Sequence, residues 1–140
     1  MTITAKMVKD LRDSTGAGMM DSKKALVEAG GDFDAATDWL KQKGLAKAQK
    51  KSGRIAAEGL VGIKIGKSSA TIIEANCETD FVAKNGEFQE MVKSILSAGK
   101  ELNSLEEVLT AEIDGKKVEE ILIEKVSSIG EKISLKRYCK

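Results

Sequence analysis

The chain has 140 residues, enough for one ordinary domain or for two small ones that share an interface. Hydrophobic residues make up 41% and charged residues 32%, and 23 Lys and Arg against 22 Asp and Glu leave no global pull toward nucleic acid or anionic lipid. There is no His, which excludes Ser-His-Asp and Cys-His nucleophiles, imidazole bases and most transition-metal sites, and no Pro, which suits a helical chain with short connections.

The first third reads as three short helices. Ile3, Met7, Val8 and Leu11 recur at helical spacing, and Ser14 to Gly18, with two glycines, breaks the pattern. A second helix runs from about Met19 to Ala29 with Ala25, Leu26 and Ala29 on one face, and Gly30-Gly31 stops it. Asp32 can cap a third helix whose apolar face is Phe33, Ala36, Trp39 and Leu40. From Lys41 to Arg54 the chain carries six basic residues and no acidic one, which predicts a solvated helical extension and linker. A domain boundary is expected at Ser52-Gly53, giving a three-helix module with basic linker over 1–53 and a second unit over 54–140.

Beyond Gly53 the period changes from 3.6 to 2. Val61, Ile63 and Ile65 alternate with Gly62 and Lys64, the pattern of a half-buried strand whose apolar side is that trio. Gly66 to Ser69 forms a hairpin loop, and Thr71, Ile73, Ala75 and Cys77 alternate along the return strand. Phe88, Met91, Val92, Ile95 and Leu96 give the stripe of a core-facing helix that Asn85 can cap. Ser104 caps a brief turn over Leu105, Val108 and Leu109, and Asp114-Gly115 leads into a helix carrying Val118, Ile121, Leu122, Val126 and Ile129. Gly130 ends that helix, and Ile133 to Cys139 reads as a last strand. The expectation is an α+β fold: a three-helix bundle, then a small antiparallel sheet of three strands with helices packed on one face. The chain stops inside or just after that strand, so a continuation beyond it is expected.

Cys77 and Cys139 fit neither a disulfide framework nor a zinc-ligand spacing, and read as free buried thiols in a reducing compartment. The N-terminus lacks the apolar core of a signal peptide, and no apolar stretch approaches a membrane span. The reading is a cytoplasmic protein, or a piece of one, without a membrane partner. Gly16-Ala17-Gly18 lacks the third glycine and the preceding strand of a dinucleotide site, and Glu106-Glu107 and Glu119-Glu120 read as solvated faces. No catalytic residue, metal site or cofactor is expected.

The odd segment is Cys77 to Asn85, which should connect a strand edge to a capped helix across the surface. Phe81-Val82 is an apolar pair in its middle. Phe81 either folds back as a lid on the sheet's core or is displayed as a wedge, with Asp80 beside it to engage something charged. Spacing alone favours the lid.

At this point two motifs carry a resemblance. Arg12 to Leu26, with Thr15-Gly16-Ala17-Gly18-Met19-Met20-Asp21 at its centre, resembles the N-terminal signature of bacterial elongation factor Ts, and Thr79 to Asn85 resembles that family's second signature. Gly31-Asp32 fits the same pattern, and the similarity covers both halves of the chain. The resemblance implies a guanine-nucleotide exchange factor for elongation factor Tu, acting by binding and making or breaking no bond itself. It implies that residues 1–53 form a UBA-like module docking on the partner's GTPase domain, with Arg12, Met19 and Met20 on the docking surface. It further implies that Thr79, Asp80, Phe81 and Val82 disturb the partner's magnesium and phosphate site. One of the two methionines is expected to plug the bundle instead.

Longer family members carry a second core subdomain, a coiled-coil hairpin and a C-terminal module. The chain would then be about half of a longer factor, or resemble short members that pair as a homodimer. It is expected to keep both GTPase-domain contacts yet exchange nucleotide poorly. The alternative from another class is a small nucleic-acid-binding adaptor using residues 41–54. Against direct nucleic-acid binding, that segment has no interleaved aromatic to stack on bases.

Overall fold

The structure is a computed structural model that describes residues 2–140. Three helices come first: α1 (Ala5–Thr15), α2 (Met19–Glu28) and α3 (Phe33–Lys51). Thr4 caps α1 through its hydroxyl, and Gly16 closes it at φ 74°, the left-handed conformation that suits a residue without Cβ. Asp32 caps α3 as the sequence predicts, its carboxylate accepting from the Ala35 amide at 2.9 Å. Val8, Leu11, Ala25, Leu26 and Ala36 form the small core of this part, with Trp39 and Leu40 packed against it. Phe33 departs from the expected inward face. As the first residue of α3 it has no preceding turn to lie over, and it is 42% exposed.

α3 continues unbroken through the basic run to Lys51 and brings the two parts of the chain together. It lies against α7 (Val118–Ile129). Asp21 of α2 accepts from Lys43 Nζ at 2.6 Å and Lys47 Nζ at 3.0 Å, and Lys47 also reaches Ser127 Oγ of α7 at 3.4 Å. Lys43 additionally sits 5.2 Å from the centre of the Trp39 ring.

The Lys43 ammonium, aided by Lys47, holds the Asp21 carboxyl below the usual carboxylate range against the burial that opposes it. A depressed carboxyl adds stability above its unfolded value near about pH 4, and that contribution is lost as pH falls through the folded value. We therefore expect Asp21→Asn to cost about 1 kcal/mol at neutral pH and almost nothing once the pH has fallen below the folded value. Urea midpoints of the two chains at both pH values check this.

The second part is an antiparallel sheet in the order β1-β2-β5: β1 (Glu58–Ile65), β2 (Ala70–Cys77) and β5 (Ser134–Cys139). The register of β2 against β5 shifts between Glu74 and Ala75. α5 (Gly86–Gly99), capped by Asn85, lays Phe88, Met91, Val92, Ile95 and Leu96 over one face of the sheet, where Ile73, Ala75, Cys77 and Leu135 meet them. Burying each large side chain here contributes about 1.5–3 kcal/mol. Tyr138 closes the far end of α5, its single hydroxyl proton lying between the Gly99 and Leu102 carbonyl oxygens, 2.6 and 2.5 Å away.

Four further elements complete the layer. α6 (Leu105–Thr110) is capped by Ser104, and β3 (Glu112–Ile113) with β4 (Lys116–Lys117) makes a two-residue hairpin leading into α7. A single helical turn, α4 (Asp80–Ala83), links β2 to α5. The hairpin ribbon and α4 are not legible in the sequence, each being too short to set up a period. The fold is thus the mixed α+β arrangement expected, with the helices on one face of the sheet.

The face of β1 is reversed from the sequence reading. Val61, Ile63 and Ile65 point away from α5 into solvent, joined by Ile72 from β2. Gly62 faces the helix, because a Cβ there would lie 2.7 Å from Leu96 Cδ1 and 2.9 Å from Val92 Cγ1. Alternation specifies which residues share a face, and the missing side chain at 62 decides which face the helix can approach. Cys139 is likewise exposed rather than buried, whereas Cys77 lies in the core, and both are free. Burial and then the Glu131 charge push the Cys77 thiol up, so it stays protonated and inert at neutral pH.

Candidate functional site

The turn between α1 and α2 presents the first candidate group. Gly18 precedes α2 and gives it no side-chain cap, so the chain enters the helix with Met19 and Met20 on the outer side. Met19 is 48% and Met20 77% exposed, and neither plugs the bundle. This corrects the expectation that one of them would, since Leu11, Ala25 and Leu26 already fill the small interior. Arg12 lies in the last turn of α1, half exposed, with Nη2 3.0 Å from the Asp13 carboxylate. That contact, with Lys9 adding to it, holds the Asp13 carboxyl below its ordinary range. Met19 and Met20 thus present two flexible, polarizable thioethers to solvent.

The second group is the segment after β2. Thr79 caps α4, its hydroxyl accepting from the Val82 amide at 3.4 Å. One helical turn then separates neighbours by about 100°. The apolar pair is therefore split: Val82 is half buried against the core, while Phe81 is 82% exposed. The lid reading that spacing favoured is overturned. Asp80 beside it is exposed, with Lys84 Nζ 3.7 Å away in the i,i+4 relation.

What precedes α4 is tied down. Glu131, just past the glycine that ends α7, accepts from the Glu78 and Thr79 amides with Oε1, both at 3.1 Å, and from the Thr79 hydroxyl with Oε2 at 2.7 Å. Glu78 in return accepts from the Lys132 amide at 2.9 Å and from Arg54 Nη1 at 3.4 Å. Lys132 Nζ donates to the Ser52 and Arg54 carbonyls at 2.8 and 3.1 Å. Sequence reasoning missed Glu131 and Glu78. Both are ordinary exposed-looking acids, and nothing local shows that residues 52 and 53 positions apart will meet.

A cleft of about 470 Å³ opens where α3 meets α7, lined among others by Thr15, Phe33, Leu40, Glu120 and Ile123. It holds the Asp21–Lys43 ion pair on one wall. Arg12, Met19 and Met20 do not line it. Among the described residues, no helix is long and apolar enough to cross a membrane.

These features define a mixed α+β protein that holds large apolar side chains in water, Met19 and Met20 at the start of α2 and Phe81 on the capped turn α4. Comparison with known proteins extends that description. The family model for elongation factor Ts matches residues 78–140. Over all 140 residues the chain is 57% identical to "Elongation factor Ts" of Ruegeria sp. (strain TM1040), covering 48% of that protein. It is also 57% identical, over 98% of its length, to the protein of the same name from Dinoroseobacter shibae, covering 47% of that relative. The protein of that name from Jannaschia sp. (strain CCS1) is 55% identical over the whole chain. The chain is thus similar over its whole length to bacterial elongation factor Ts, the family its two motifs resemble, and spans about half the length of the relatives it matches.

Proposed function

We propose that this chain binds elongation factor Tu and promotes release of its GDP during translation elongation. The single observation that carries the reading is the exposure of Phe81, 82% accessible on a turn that is itself capped and anchored. A large apolar side chain held in water has nothing to gain in the free protein and about 1.5–3 kcal/mol to gain in an apolar slot of a partner. In this reading Arg12, Met19 and Met20 dock on the GTPase domain, and Phe81 inserts between elements that hold the magnesium ion and the phosphates. Asp80 and its neighbours Thr79 and Val82 complete the wedge. The chain makes and breaks no bond. If its binding weakens the hold on nucleotide by some factor, nucleotide weakens its binding by the same factor.

Two copies would find their most suitable surface on the outer face of the sheet, where Val61, Ile63, Ile65 and Ile72 form an exposed apolar patch. The nucleic-acid adaptor is the weaker reading. Lys43 and Lys47 of the basic run are already paired with Asp21, and no aromatic side chain follows Trp39 within that run.

Docking is tested by titrating the chain into elongation factor Tu·GDP. Met20→Lys places a charge on the exposed methionine pair and should weaken binding by about tenfold or more, with the fold unchanged because the side chain is already in water. Unaltered affinity in that variant would remove the methionine pair from the docking surface. RNA affinity that falls steeply with salt, without any effect on GDP release, would favour the adaptor.

A further inference from the structure

We propose that Glu131 is the positioning residue for Phe81, a role that rests on the exchange reading above and adds to it the group that aims the wedge. α4 is one turn of four residues. An isolated turn of that length does not hold itself, since the cost of fixing its backbone exceeds the return from a single hydrogen bond. Its direction must be set from outside.

After Phe81 the anchors are apolar, Val82 and Ala83 against the core. Before it the anchor is Glu131. A carboxylate can only accept, so at 2.7 Å it fixes the Thr79 hydroxyl as the donor. That leaves the hydroxyl's lone pairs for the Val82 amide, which is the cap of α4. The other oxygen clamps the Glu78 and Thr79 amides at 3.1 Å each. One side chain thus satisfies three donors at the entry to the turn and controls the orientation of a fourth group. Glu78 answers by accepting the Lys132 amide, so the two segments cap each other, and the Arg54 guanidinium offsets the Glu78 charge. The Cys77 thiol donates to the Thr79 carbonyl at 3.2 Å from the buried side and closes the ring of contacts. Phe81 itself is left without cover, which is what an aimed side chain requires.

The test follows GDP release from elongation factor Tu against increasing concentration of the chain, for wild type, Glu131→Ala, Glu131→Gln and Tyr138→Phe. Losing the clamp should lower the saturated release rate in Glu131→Ala by about tenfold, with the half-saturating concentration within about twofold of wild type, because docking is unaffected. Glu131→Gln keeps a carbonyl for the two amides but sets an NH₂ against the Thr79 hydroxyl, so it should recover part of the rate. Tyr138→Phe loses stability at the opposite end of α5 and should keep the wild-type rate. That control separates aiming from general destabilisation. A wild-type saturated rate in Glu131→Ala, or an equal loss in Tyr138→Phe, overturns the positioning role alone. A wild-type chain that never accelerates release overturns the functional reading and this role with it.

Discussion

Phe81→Ala should reduce the chain's acceleration of GDP release by about ten- to a hundredfold, the range that corresponds to about 1.5–3 kcal/mol of apolar burial. The fold should be untouched. Phe81 is 82% exposed and its loss leaves no cavity, so the urea midpoint is expected to shift by less than about 0.5 kcal/mol in free energy. A thousandfold acceleration requires about 4 kcal/mol of barrier lowering, more than one phenylalanine supplies. The rest must come from docking. Stopped-flow release of a fluorescent GDP, with far-UV circular dichroism of the variant as the folding control, separates the two quantities. Undiminished acceleration by Phe81→Ala would show that the displayed ring is not the group that acts.

The second large effect lies in the fold. Gly59 in β1 holds φ at 146°, a conformation that side-chain-bearing residues avoid, and a Cβ there would stand 2.0 Å from the Ala75 carbonyl oxygen. The obstruction is backbone of the neighbouring strand, so no rotamer change relieves it. Gly59→Ala should cost about 3–5 kcal/mol, strain and steric overlap together, and loosen the start of the β1-β2 pairing. Gly53→Ala makes the fair comparison, since nothing lies within 4 Å of its Cβ position and its φ is ordinary. That variant should stay within about 0.5 kcal/mol of wild type. Urea titrations with unchanged slopes check both. A neutral Gly59→Ala would mean that β1 enters the sheet differently from the geometry described.

How much of this was legible in the sequence depends on how far each determinant reaches along the chain. Asp32, Asn85 and Ser104 cap α3, α5 and α6 as expected, because a cap and the amide it satisfies lie within three residues of each other. The stripe from Phe88 to Leu96 was equally plain. β1 was read with the correct strand and the wrong face, since the deciding contact, Gly62 under Val92 and Leu96, joins residues some thirty positions apart.

The site shows the same division. Arg12, Met19, Met20 and the Thr79 to Val82 segment stood out through their motifs. The exposure of Phe81 did not, because an apolar pair in a connection says nothing about which member turns inward. It took the α4 turn, with its one-residue rotation, to send Val82 to the core and Phe81 to the solvent. Glu131 was invisible for the strongest reason. Its three hydrogen bonds span 52 and 53 residues, and its neighbours Gly130 and Lys132 look like any helix end.

The central claim is that this chain loosens the hold of elongation factor Tu on GDP. The most direct measurement is stopped-flow release of labelled GDP from elongation factor Tu at rising concentrations of the wild-type chain. We expect release to accelerate and then saturate, more slowly than with a full-length relative because about half of that length is present here. A release rate equal to the spontaneous one at every concentration, with the chain folded, would contradict the account.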